Sequence, residues 1–162
     1  MSRIYGYTRG IHSYGRARQK DLMTQTLAVR RYSRALRKFH PRLPEPEIYS
    51  DVGIPRAGQN IRSLPAGRQL LVKIKPGDHL IIGHIGRVFP TLRDCFWNLR
   101  RWKERGIHVH FAQKDLRMNL KTPGGQLVMK ILEAFVDGDV VMRQEAAIAK
   151  KRGHTAIRRR LR

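Results

Sequence analysis

The sequence predicts an α/β fold in three layers, with a largely parallel central sheet and one long C-terminal helix. Two observations carry that expectation. Short runs rich in β-forming residues alternate with stretches of helical period through most of the chain. The longest helical stretch comes last. The 162 residues are 41% hydrophobic, enough for one domain with a packed core.

Ile4 to Thr8 reads as the first strand, and Gly10 to Arg18 as a polar loop. A helix follows from about Asp21 to Phe39. Leu22, Val29 and Leu36 recur every seven residues, and Tyr32 and Phe39 complete a buried stripe. Arginines and Lys38 cover the rest of its second half, and Pro41 ends it. Glu47 to Asp51 is a second strand, and Val52 to Arg62 a loop by composition. Pro65 opens a short helix to Lys73. Lys75 to Asp78 is a turn, and His79 to Ile82 a buried strand. Thr91 caps the next helix, whose Leu92, Cys95, Phe96 and Leu99 follow helical spacing until Gly106 stops it. Ile107 to Phe111 alternates as a strand. A loop is expected through Asn119. Thr122-Pro123-Gly124-Gly125 then opens the long helix to about Arg152, with Leu127, Ile131, Phe135 and Met142 on its apolar side. Gly138 within it costs about 1 kcal/mol relative to alanine, and a packing reason is expected. Residues 154–162 form a basic tail.

The charge balance selects the partner. Lys and Arg number 34 against 12 Asp and Glu, a formal net charge of +22. Such an excess repels itself in a compact fold, and each cation set beside a phosphate releases a counterion. Nucleic acid is therefore the expected ligand. One cysteine, Cys95, excludes an internal disulfide and suits a reducing compartment. No stretch approaches the roughly 20 apolar residues of a membrane span. The N-terminus leads straight into a strand instead of a signal peptide. A soluble, cytoplasmic protein is expected.

Other residues attract weaker readings. His108 and His110 share a strand face, but no Cys or carboxylate cluster accompanies them, so packing or surface exposure is expected and no metal or cofactor. His12 beside Ser13 could act as a base. Trp97 and Trp102 read as core or interface residues ahead of base-stacking platforms. The Thr-Pro-Gly-Gly run lacks the Lys-Ser/Thr of a phosphate loop and reads as a helix start.

The motifs in order resemble the catalytic domain of serine recombinases of the resolvase/invertase type, over residues 3 to 153. Tyr7-Thr8-Arg9 fits the family's opening Tyr-x-Arg-x-Ser, and Gln19 and Gln25 echo its helix glutamine. Leu64-Pro65 through Leu70-Leu71 resembles its next helix. His84 to Pro90 aligns with Lys-x-Asp-Arg-x-x-Arg, and Thr91-Leu92-Arg93-Asp94 with the helix start that follows. Leu120 to Leu127 is similar to the Thr-Pro-x-Gly turn into the family's interface helix.

The resemblance implies a metal-free attack by a serine hydroxyl on a DNA phosphodiester, giving a 5′-phosphoserine bond and a free 3′-hydroxyl. Arginines would hold the phosphoryl charge. Arg9 and Arg87 match catalytic arginines. Gly86 stands for the family's Asp, Pro90 for a second arginine, His84 for Lys and Leu64 for another arginine, with Arg62 two residues away. Ile11 occupies the nucleophile's position. Either Ser13 acts as a displaced nucleophile, helped by Gly10 and Gly15, or the domain binds DNA without cutting it.

Arg62, Arg143, Lys150, Lys151, Arg152, Arg158, Arg159 and Arg160 are the expected DNA contacts. The basic end continues a helix that crosses the minor groove in the resembled family. The partners implied are double-stranded DNA and further copies of the chain, a dimer or tetramer joined through the long helix, in a nucleoid-associated setting. An RNA-binding or ribosome-associated protein is the reading that neglects the ordered motifs.

Overall fold

The computed structural model describes residues 1–10, 15–53, 59–113, 116–139 and 142. Strand β1 spans Ile4–Gly10, helix α1 Gly15–Phe39 and strand β2 Glu47–Val52. Helix α2 spans Pro65–Lys73, strand β3 His79–Ile82 and the single-turn helix α3 Ile85–Val88. Helix α4 covers Leu92–Glu104, strand β4 His108–Gln113 and strand β5 Leu116–Asn119. A last helix, α5, covers residues 123–139 of the described chain.

The sheet order is β2-β1-β3-β4-β5. The first four strands run parallel, and β5 pairs antiparallel to β4. Alternating side chains divide the core between two faces. Ile4, Ile81 and Ala112 pack with Val29, Ala28, Tyr32 and Leu36 of α1 on one face. Tyr5, Tyr7, Leu80, Ile82, Val109 and Phe111 pack with residues of α2, α4 and α5 on the other. These are the three layers the sequence predicts.

Gly6 sets the approach of α1 to the sheet. A Cβ there would lie 2.6 Å from Val29 Cγ1, so only glycine admits the valine so close. Thr91 caps α4 as expected, its Oγ1 accepting from the Asp94 amide at 3.0 Å. Thr122 caps α5, its Oγ1 accepting from the Gly125 amide at 3.2 Å.

Several expectations need correction. Helix α1 starts at Gly15, six residues before the start at Asp21 that the sequence suggests. Phe39 is 82% exposed, because the stripe drifts off the sheet at the helix end, while Gln25 and Ser33 are buried in its place. Leu92 is exposed at the first turn of α4. The expected loop through Asn119 contains β5, whose Leu-Arg-Met-Asn sequence pairs with β4 but carries too short a period to read.

Helix α5 splits its apolar residues between two faces. Met129 and Val136 face the core, whereas Leu127, Ile131, Phe135 and Met142 are exposed. A Cβ at Gly138 would meet nothing within 4 Å, so packing among the described residues does not explain that glycine.

Candidate functional site

The carboxyl edge of a parallel sheet gathers strand ends and loop starts, where polar side chains converge. At the end of β1, the Arg9 amide donates to Gln25 Oε1 at 3.1 Å. Gln25 Nε2 donates back to the Arg9 carbonyl at 2.9 Å and to Asp21 Oδ1 at 3.1 Å. Arg87, on α3 after β3, places Nη2 3.8 Å from the same Asp21 oxygen. Arg9 and Arg87 thus occupy one edge of the sheet, joined through two side chains of α1. Gly83 makes room for this joint: a Cβ there would press on Gln25 Cβ at 3.0 Å and on Thr8 Cγ2 at 3.2 Å.

The two arginines differ in access. Arg9 is fully buried. Its Nε donates to the Gly53 carbonyl at 2.9 Å and its Nη1 to the Gln59 carbonyl at 3.1 Å. Burial lowers its pKa, with nearby Tyr7 and Asp51 opposing the shift. The Arg87 side chain is 28% exposed, and its buried Nε has no hydrogen-bond partner. Beside it, His84 Nδ1 is also buried and unpartnered. Burial lowers the His84 pKa, and the Arg87 charge lowers it further.

Asp51, at the end of β2, organises the other flank. It accepts from Tyr7 Oη at 2.8 Å, from the Ala66 amide at 3.0 Å and from the Gly67 amide at 2.8 Å. These amides open α2, whose N-cap Leu64 offers no side-chain oxygen. A carboxylate from a neighbouring strand therefore serves as the helix cap. Burial, then the hydrogen bond to Asp51, raises the Tyr7 pKa. Sequence reasoning missed Asp51 and Asp21. It noted Gln25 only as an echo, since the contacts of all three are tertiary.

Arg62 is not part of the Arg9–Arg87 joint. It lines an open groove of about 480 Å³ with Asn60 and with Asp94, Trp97, Asn98, Arg100, Arg101 and Glu104 of α4. Its pKa is lowered by burial first and then by the charges of Arg101 and Arg105. Trp102 is core, as expected, but Trp97 is 49% exposed.

Ser13, Ile11 and His12 lie outside the described residues. So do Arg143, Lys150, Lys151, Arg152, Arg158, Arg159 and Arg160.

His108 and His110 share a sheet face with His79. His79 Nδ1 and His110 Nε2 share a hydrogen bond at 3.0 Å, and the His79 ring lies 4.6 Å from that of His108. No group of three or more His, Cys, Asp or Glu is arranged to hold a metal among the described residues. No described helix is long and apolar enough to cross a membrane.

A search of curated proteins found no match. A family model does match: the resolvase N-terminal domain, over residues 4–159. That span takes in β1 with Arg9, α3 with Arg87 and the start of α5, the same segments that carry the ordered motifs. The chain belongs to the resolvase N-terminal domain family.

Proposed function

We propose that the chain is a site-specific DNA recombinase domain that cleaves and rejoins DNA through a phosphoserine bond. The family itself supports a serine recombinase-type function. The observation that carries the finer reading is the joint Arg9–Gln25–Asp21–Arg87, which ties the Arg9 backbone and the Arg87 guanidinium to one edge of the sheet. Guanidinium forks match the equatorial oxygens of a phosphoryl group as it becomes pentacoordinate. Ser13 Oγ would attack phosphorus, and the P–O3′ bond would break. The serine proton would leave to solvent or a base, and the departing 3′-oxygen would take up a proton. Rejoining runs the same exchange backwards.

The proposal extends to the partners. Duplex DNA meets Arg62 and the basic residues Arg143, Lys150, Lys151, Arg152, Arg158, Arg159 and Arg160, the last three in a tail over residues 154–162. A second copy covers the apolar stripe of α5, in a dimer or tetramer. The setting is the nucleoid.

A second reading has its own support. Arg9 is fully buried and already bound to two carbonyls. Gly86 and Pro90 stand where the resembled family has an Asp and an arginine. Both facts suit a relative that binds DNA without cutting it.

One experiment separates the two. Supercoiled plasmid is incubated with the chain, quenched with detergent, and assayed for protein-bound DNA ends. Cleavage gives a covalent adduct that Ser13→Ala abolishes. Salt-sensitive binding with no adduct in the wild type supports the second reading.

A further inference from the structure

Two tryptophans on one helix have opposite fates. Trp102 is 1% exposed in the core, while Trp97 is 49% exposed beside the groove that Arg62 lines. The exposed indole is braced. The Phe96 ring meets it edge-on at 5.3 Å, and the Arg100 guanidinium lies 5.5 Å from its centre. Arg100 is held in turn by Glu104 at 3.0 Å and Glu133 at 3.7 Å. A large apolar ring kept rigid at a groove wall is a recognition surface.

The same groove holds an unanswered acceptor. Asn98 is only 5% exposed, and its Nδ2 donates to the Asp94 carbonyl at 2.7 Å. That bond fixes which end of the amide is oxygen, and Oδ1 is left buried without a partner. A buried acceptor of this kind destabilises the fold unless a donor reaches it.

The groove also carries unbalanced positive charge. Its carboxylates are engaged: Asp94 Oδ2 accepts from Thr91 Oγ1 at 2.8 Å, and Glu104 accepts from Arg100. Among the described residues, Arg62 and Arg101 pair with no carboxylate, and the nearby charges of Arg101 and Arg105 oppose that of Arg62. An aromatic face, a hydrogen-bond acceptor and a pair of guanidinium groups match the three parts of a nucleotide.

We propose that the groove between residues 59–63 and α4 receives one unstacked nucleotide of a single DNA strand. Its base lies on Trp97, an exocyclic amine of the base donates to Asn98 Oδ1, and its phosphate sits between Arg62 and Arg101. The site rests on the DNA-binding reading above and lies next to its centre: Gln59 holds Arg9, and Asn60 lines the groove. A paired duplex keeps its base faces covered and cannot use the indole, so the groove selects opened strands.

The test compares a short mixed-sequence single strand with its own duplex, both fluorophore-labelled, against the full chain. Trp97→Ala is expected to weaken single-strand binding about 5- to 150-fold, the loss that removal of one aromatic–base stack produces. Duplex affinity stays within about twofold. Trp97→Phe retains most of the strand affinity. In the wild type, the strand quenches indole emission, and buried Trp102 supplies the residual signal. Asn98→Leu is expected to raise Tm while weakening strand binding, as a structural asparagine would not.

Equal losses for strand and duplex from Trp97→Ala would make the indole a general DNA contact and overturn the proposal. Unchanged strand affinity would overturn it too. So would a shift in sedimentation without a change in strand affinity, which would mark a protein interface. Absence of any DNA binding by the wild type at low salt would bring down the DNA-binding reading itself, and the groove with it.

Discussion

Gln25 couples the two arginines of the site, and its amide uses both ends to do so. One end accepts from the Arg9 amide, and the other donates to the Arg9 carbonyl and to Asp21. Gln25→Leu preserves the bulk and removes all three bonds. The expected loss is about 1–3 kcal/mol in urea unfolding. Arg87→Ala behaves differently. Its contact with Asp21 is long and partly exposed, so the fold loses about 0–1 kcal/mol while salt-dependent DNA affinity falls. Parallel unfolding and binding titrations separate the two variants. Arg9 and Arg87 were legible because each stands in a local motif. Asp51 was not, because it caps α2 from another strand, and the sequence around Leu64 contains no sign of that.

At the scale of elements, the central strands were readable because buried parallel strands are continuous apolar runs. His-Leu-Ile-Ile in β3 is such a run, and its bounds were predicted to the residue. Strand β5 is four residues of mixed polarity, and only its pairing with β4 defines it. Helix α5 was readable as a helix with an apolar side, but the second, core-facing pair Met129 and Val136 was not. Leu127, Ile131 and Phe135 repeat every four residues, as a core stripe does, yet they face outward while Met129 and Val136 face in. Periodicity tells that a face is apolar, not whether the same chain covers it. The proposed second copy would cover this stripe, since large exposed apolar patches commonly serve association. Phe135→Glu is therefore expected to shift sedimentation toward a monomer with helicity unchanged. A wild-type chain that is monomeric at all concentrations would refute the prediction.

Across the whole molecule, a histidine cluster joins elements at the end of the sheet opposite the arginines. Tyr32 of α1 shares a hydrogen bond with His110 Nδ1 at 3.2 Å, and His110 Nε2 shares one with His79 Nδ1. Lys121, just before α5, lies 3.0 Å from His108 Nε2, which must accept. Each bond requires a neutral imidazole nitrogen; the sequence showed His108 and His110 on one strand face, but not that Tyr32, His79 and Lys121 join them. Burial pushes His79 down to about 4 and His110 down to about 3, and the charges of His108, His40 and Lys121 add to both shifts. Asp78 alone opposes, and only at His79. Burial, then Lys121 and His40, lowers His108 as well. The unfolded chain accepts these protons near pH 6.5, and the folded chain refuses them until far lower. Stability is thus complete above the unfolded value and declines as the pH falls from about 6.5 toward 3. The excess of cations also destabilises the fold in acid, but that term does not depend on His110. His110→Phe removes one refused proton at the cost of the bonds to Tyr32 and His79. It is expected to be less stable than wild type at pH 7 and to lose less on moving to about pH 4.5, when urea midpoints are compared. Parallel pH profiles for the two chains would show that the cluster does not control acid stability.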